Sequence, residues 1–248
     1  MFTAGARQLV GRTVAGMARV RTCAPCGQYM AGNSPRVVEA HLACCGSRLQ
    51  GTDQAYHAAH KAVAECLQKI MKEAGLEAEL ELDGLLPGSR ERPADVGLAD
   101  APGAFCAYAP GLFLAIDVRI ARVQEHSFME GERRHPGSTV EGIETAKRTQ
   151  YASRVTAEGG RFVPFVLDEF GKLGASAVWL LHAVALRAAE RQRADFRYGA
   201  TLDERATRFR TAWTGLLTGV LHTTVTGVIH RRFLASLRAT VSAPVVGS

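Results

Sequence analysis

The sequence predicts an α/β domain: a mixed β-sheet flanked by helices, preceded by a cysteine-rich module and followed by a helical extension. Three observations predict it. Leu76, Ala78, Leu80 and Leu82 alternate with Glu77, Glu79, Glu81 and Asp83, the period of two that marks a strand with one wet face. Residues 112–121 (LFLAIDVRIA) open apolar on both faces, as a buried central strand does. Apolar residues at helical spacing lie before, between and after these strands. The resulting order is helix, three strands, helix, strand, helices.

The elements follow in turn. Residues 1–22 form a basic segment, with Arg7, Arg12, Arg19 and Arg21 and no acid; Glu39 is the first acidic residue of the chain. Small residues with scattered arginine are similar to a mitochondrial presequence, or to a plain basic lead-in. Residues 23–46 hold four of the six cysteines. The spacing predicts a helix over 53–75, with Asp53 able to cap it, Ala59, Val63, Leu67, Ile70 and Met71 on one face, and Gly75 at its end. The strand at 76–83 meets turn signals at Asp83-Gly84 and Pro87-Gly88. Residues 92–99 (RPADVGLA) make the second strand and 112–121 the third. Residues 122–137 are polar and aperiodic and read as a loop. A helix over 139–158 takes Ser138 as cap and Gly159-Gly160 as stop. Residues 161–167 (RFVPFVL) are the fourth strand, which Pro164 assigns to an edge or a bulge. Residues 173–193 form a helix with Val178, Leu181, Val184 and Leu186 on its apolar face. The last helical region, 202–238, carries Phe209, Trp213, Leu216, Leu217, Val220 and Leu221 on one side, and its glycines make it one helix or two. The domain plan is a basic segment 1–22, a cysteine module 23–46, a core 53–193 and a helical extension 200–240.

Composition narrows the function classes. A chain of 248 residues, 47% hydrophobic and 22% charged, can bury one core, which excludes wholesale disorder. A net charge of +6 suits an acidic partner such as nucleic acid. No apolar run reaches the length of a membrane span, and no signal peptide is evident. Six cysteines without a secretory signal point to reduced thiols or a metal site.

Two acids need a reason. Asp95 falls in the second strand and Asp117 in the third, both among apolar neighbours, and strands disfavour aspartate. Adjacent strands can bring the two carboxylates together, where they repel unless a cation lies between them. Mg²⁺ suits such a pair, since it takes one or two carboxylates, waters and a substrate phosphate. The competing reading is two strand-end aspartates in turns or salt bridges.

Arg92-Pro93-Ala94-Asp95-Val96, Ala115-Ile116-Asp117-Val118, Ala146-Lys147 with Tyr151, and Phe162-Val163-Pro164-Phe165 stand in this order along the chain. The ordered set resembles the restriction-enzyme-like endonuclease domain of site-specific non-LTR retrotransposon proteins, of the PD-(D/E)XK fold. The resemblance covers about residues 23–238. It implies a DNA endonuclease that hydrolyses phosphodiesters with Mg²⁺ held by Asp95 and Asp117, a PD-(D/E)XK restriction-endonuclease-like mixed sheet flanked by helices, and Lys147 and Tyr151 as further catalytic residues. The third position of D-x-K departs from the family, reading Asp117-Val118-Arg119. Arginine cannot shuttle a proton. In this branch the lysine comes from the following helix, which Lys147 matches, leaving Arg119 for backbone phosphate. Lys147 and Tyr151, four apart, share a helical face, although Lys147 could instead pair with Glu144. Glu65 and Glu73 are candidates for a further acid on the first helix, and His57 and His60 for a phosphate or metal contact.

Cys23-x₂-Cys26, fourteen residues, His41, three residues and Cys45 is near the spacing of a Cys₂HisCys zinc finger, with Cys44 an alternative fourth ligand. The resembled family carries a similar CCHC finger before its nuclease. Cys66 and Cys106 read as ordinary buried residues. Ten arginines against four acids between Arg187 and Arg238 offer a surface for nucleic-acid backbone or a solvated helix face. Arg133 and Arg134 are candidates for phosphate contact. No Tyr-x-Asp-Asp quartet occurs, so the resemblance implies a truncated or detached nuclease without a polymerase, cleaving DNA in the nucleus, with DNA or RNA as its nucleic-acid partner. The alternative is a catalytically inactive nucleic-acid-binding or assembly protein, within a mitochondrial ribonucleoprotein for example, which the arginine-rich N-terminus and Arg119 favour.

Overall fold

The computed structural model describes residues 22–23, 28–30, 33, 38, 54–81, 86, 93–99, 113–121, 131–132, 134–191 and 201–242. The chain divides into two compact units, Met1–Ala59 with Thr223–Ser248, and His60–His222. In the first unit Thr22 bridges Tyr29 in antiparallel fashion, and Cys23 N–H donates to the Gln28 carbonyl at 2.9 Å. Cys23 and Met30 are buried there. Cys26, His41, Cys44 and Cys45 lie outside the described residues, as do Arg133 and Cys106.

The described elements run α1 (Gln54–Glu73), β1 (Ala78–Leu80), β2 (Val96–Leu98), β3 (Phe113–Ala121), α2 (Ser138–Ala157), β4 (Gly160–Asp168), α3 (Ala175–Arg191) and α4 (Leu202–Ser242). The architecture is mixed α/β: one four-stranded sheet in the order β1-β2-β3-β4, with helices. β1, β2 and β3 pair antiparallel as a meander, and α2 crosses over so that β4 lies parallel to β3. Among the described residues β4 is the last strand of the sheet, so Pro164 sits on an edge strand, where its missing N–H costs no ladder bond to an outer neighbour.

Burial follows the pattern read from the sequence. Ala59, Val63, Leu67, Ile70 and Met71 of α1 are all buried. β3 and β4 alternate across two faces, and one face packs against α2: Phe113, Ala115 and Phe162 meet Tyr151 and Val155, while Ala121 and Val166 meet Val140 and Ile143. Gly159 takes φ 79 at the end of α2, and Gly160 lies so close to the Phe113 ring that a Cβ would come within 2.4 Å of it. The glycine pair therefore stops the helix and lets β4 begin against an aromatic side chain.

Several elements differ from expectation. The first strand is three residues long, because Glu81 turns into the left-handed region at φ 51. Asp95 is not within the second strand but immediately before it, since pairing starts at Val96. Gly131, Glu132 and Arg134 are helical where a loop was expected. Ser138 is the first residue of α2 rather than its cap; the N-cap is Gly137, and Glu132 supplies the capping carboxylate, accepting from Gly137 N–H at 2.7 Å and Thr139 N–H at 2.6 Å. Val178 is exposed, the apolar face of α3 being Ala177, Leu180, Leu181, Val184 and Ala188. α4 is one uninterrupted helix: Gly215 and Gly219 stand in open space and break nothing, while Trp213, Leu217 and Leu221 hold its buried stripe.

Candidate functional site

The site arises where β2 stops and β3 continues. β2 pairs only with Leu114–Ile116, although β3 runs on to Ala121. Val118 therefore needs other partners on that side. Its N–H donates to Asp95 Oδ2 at 2.7 Å, and its carbonyl lies 2.8 Å from His60 Nε2. His60 Nε2 is also 3.2 Å from Asp95 Oδ2. Both neighbours of that nitrogen are acceptors, so it carries the proton and donates. The carboxylate beside the ring favours the imidazolium and raises the His60 pKa, against the lowering effect of burial.

Asp117 follows Ile116, the last residue of β3 paired with β2, and meets α2 through Lys147. On α2, Val140, Glu144, Lys147, Tyr151 and Val155 follow a spacing of four, three, four and four, a single helical stripe toward the sheet. Lys147 Nζ donates to Asp117 Oδ1 at 2.9 Å. The same ammonium stands 5.4 Å from the centroid of the Tyr151 ring, a cation–π distance that fixes it from below. Tyr151 is itself held by Phe162, ring centroids 5.5 Å apart, and its hydroxyl accepts from Gln150 Nε2 at 2.9 Å. Lys147 is thus not the surface partner of Glu144. Glu144 Oε1 accepts the Ser176 N–H at 3.0 Å, at the start of α3, and Arg148 lies 3.9 Å from its other oxygen.

Electrostatically the site is under-compensated at one atom. Asp117 is 7% exposed, and its Oδ2 is buried with no hydrogen-bond partner among the described residues. Burial raises the Asp117 pKa; the Lys147 charge and hydrogen bond oppose that rise, and nearby Asp95 reinforces it. A carboxylate held in this way favours a further cation. Asp117 Oδ2 and Asp95 Oδ1 are the two carboxylate oxygens outside the bonds described, and carboxylate oxygens are the donor type that Mg²⁺ takes. Among the described residues no group of three or more His, Cys, Asp or Glu side chains is arranged to hold a metal ion.

The remaining sequence candidates fall as follows. Arg119, two residues beyond Asp117 and so on the same strand face, is exposed, as is Arg134. Glu65 is exposed and 3.9 Å from Lys61, and Glu73 and His57 are exposed as well. His60 was separable from His57 by helical phase alone: it shares the 60–64–67–71 stripe with Ala64, Leu67 and Met71, all three buried. Its bond to Asp95 was not, because 35 residues separate them. Cys66 is buried and outside any disulfide, and burial pushes its thiol up. No helix among the described residues is long and apolar enough to cross a membrane. Compared with known proteins, the chain matches no family model, and neither a curated protein nor a solved structure shows significant similarity to it.

Proposed function

We propose that the protein is a Mg²⁺-dependent DNA endonuclease, with a PD-(D/E)XK-type core and Asp95, Asp117 and Lys147 as its catalytic group. The observation that carries this reading is the buried Oδ2 of Asp117, without a partner among the described residues, beside a lysine bound to Oδ1 of the same carboxylate. A purely structural ion pair gives no reason to bury the second oxygen without a partner, since an unmet buried acceptor costs about 1–3 kcal/mol. When bound, Mg²⁺ supplies positive charge at the phosphoryl oxygen and acidifies the attacking water. Asp117 and Asp95 would hold it. Lys147, fixed by Asp117 Oδ1 and the Tyr151 ring, sets a positive charge where negative charge develops on the phosphate. Tyr151 acts through its ring by positioning Lys147. Arg119, exposed on the same strand face, and Arg134 are phosphate contacts, and Arg133 belongs with them by sequence.

The N-terminal module completes the proposal as a zinc finger of Cys23, Cys26, His41 and Cys45. The Thr22–Tyr29 bridge and the Cys23 N–H bond to Gln28 support it, since they hold the chain on either side of the Cys-x₂-Cys spacing together. Such a finger would grip DNA, or RNA, independently of the cutting site. The deciding experiment is plasmid nicking with Mg²⁺ by the wild type and Lys147→Ala. Nicking by the wild type, lost on chelation and strongly reduced in the variant, is the expected result. A wild type that binds DNA without nicking at any divalent-ion concentration overturns the enzyme and leaves the inactive binding or assembly role.

A further inference from the structure

We propose that His60 is a positioning residue for Asp95: its Nε2–H, shared between Asp95 Oδ2 and the Val118 carbonyl, fixes the carboxylate so that Oδ1 is presented for metal beside Asp117. This rests on the metal-dependent reading above and assigns a role to a histidine that reading leaves without one. Three separate segments meet here, for His60 lies 35 residues from Asp95 and 58 from Val118. Asp95 Oδ2 receives two donors, Val118 N–H at 2.7 Å and His60 Nε2–H at 3.2 Å, so it is the anchored oxygen of the carboxylate. With Val118 N–H alone, the carboxylate keeps one restraint and can rotate about it. The second donor removes that freedom, much as an outer hydrogen bond orients a metal-ligating side chain. The anchor is rigid because it is tied to β3: His60 binds the carbonyl, and Asp95 the amide, of one and the same residue, the neighbour of Asp117. Only a donor at the Nε2 position is required. A glutamine, whose amide nitrogen reaches the place of histidine Nε2, should serve, and an alanine should not.

The test measures Mn²⁺ bound by the full chain, from the loss of the free-ion EPR signal, in wild type, His60→Ala and His60→Gln, with Asp117→Ala as background. Nicking across a Mg²⁺ series runs in parallel, and thermal unfolding checks the fold of each variant. His60→Ala is expected to weaken Mn²⁺ binding by about 10- to 100-fold and to raise the Mg²⁺ needed for half-maximal nicking in proportion. At saturating Mg²⁺ its rate and its KM for DNA stay within about threefold of wild type, as does His60→Gln throughout. Mn²⁺ binding by His60→Ala equal to wild type, or equal losses in alanine and glutamine variants, overturns the assignment. If His60→Ala fails to fold, His60→Asn, too short to reach both acceptors, replaces it; failure of both to fold makes the role structural and likewise overturns it. A wild type that binds Mn²⁺ no better than Asp117→Ala defeats the metal site itself, and His60 with it. A wild type that binds Mn²⁺ without nicking defeats only the nuclease, and the His60 variants are then judged on Mn²⁺.

Discussion

Two buried carboxylates lie along the face that α2 turns to the rest of its unit, and they are treated in opposite ways. Glu144 is 3% exposed, with one oxygen accepting the Ser176 N–H and the other facing Arg148. Asp117 is nearly as buried, yet one oxygen takes Lys147 and the other takes nothing among the described residues. The first joins α2 to the start of α3 and satisfies an N–H that a helix end leaves open. The second stores an unmet demand for positive charge. Burial therefore does not separate structural from functional acids in this fold; the accounting of each oxygen does.

The sharpest break in that comparison comes from Asp117→Asn. Asparagine keeps an acceptor for Lys147 and removes the charge. Nicking should fall by roughly 10²- to 10³-fold or more, as when one charge-stabilising group is lost from an active site. Stability should not fall with it. Because burial raises the folded-state pKa of Asp117, the native protein holds that proton more tightly than the unfolded chain. The group thus weakens the fold as pH rises from the ordinary aspartate range through the raised value, and asparagine is free of this loss. A thermal midpoint that drops at neutral pH would show Asp117 to be a structural acid like Glu144.

Lys147→Ala ranks next. It should slow nicking about 100-fold. It also removes the charge that holds the Asp117 pKa down, so the acid limb of the pH–rate profile should move to higher pH. A profile that keeps its position would mean that Lys147 does not act on Asp117 during the reaction.

Glu144→Ala tests the other side. Leaving the Ser176 N–H buried without its acceptor should cost about 1–3 kcal/mol in urea unfolding. Nicking below the melting range should stay within a few-fold, since Glu144 touches neither Lys147 nor Asp117. A loss of activity without a loss of stability would show the two carboxylates to be coupled.

How far this contrast was legible in the sequence depends on the range of each contact. The strand alternation, the α1 face and the glycine stop after α2 are local, and they read correctly from spacing. So did the pairing of Lys147 and Tyr151 on one helical face. The partner of Lys147 did not: Glu144 and Asp117 are both carboxylates, and only the docking of α2 on β3 chooses between them. The second strand was started four residues early, at 92 instead of Val96, which put Asp95 inside it, because a three-residue strand has no periodicity to mark its start. The single long α4 was obscured by glycines whose cost depends on whether they face open space. The distance from Asp95 to His60 is a property of the closed sheet, and nothing near either residue announces it.

Glu132 gives the smallest effect and places a third carboxylate on the same scale. Both of its oxygens accept backbone N–H groups, from Gly137 and Thr139, so it is satisfied like Glu144, but it sits in contact with water. The hydrogen bond from Gly137 leads in holding its pKa below the usual glutamate range. A depressed folded-state pKa stabilises the fold above the unfolded value, and that contribution disappears as pH falls through the depressed one. Glu132→Gln should therefore lower stability by less than about 1 kcal/mol at neutral pH, solvent screening much of the charge. The gap between wild type and variant should close as the solution is acidified below the glutamate range, while nicking at neutral pH is unchanged. A gap that persists in acid would mean that shape, not charge, makes Glu132 the cap of α2, and a satisfied carboxylate would then be interchangeable with its amide, whereas Asp117 is not.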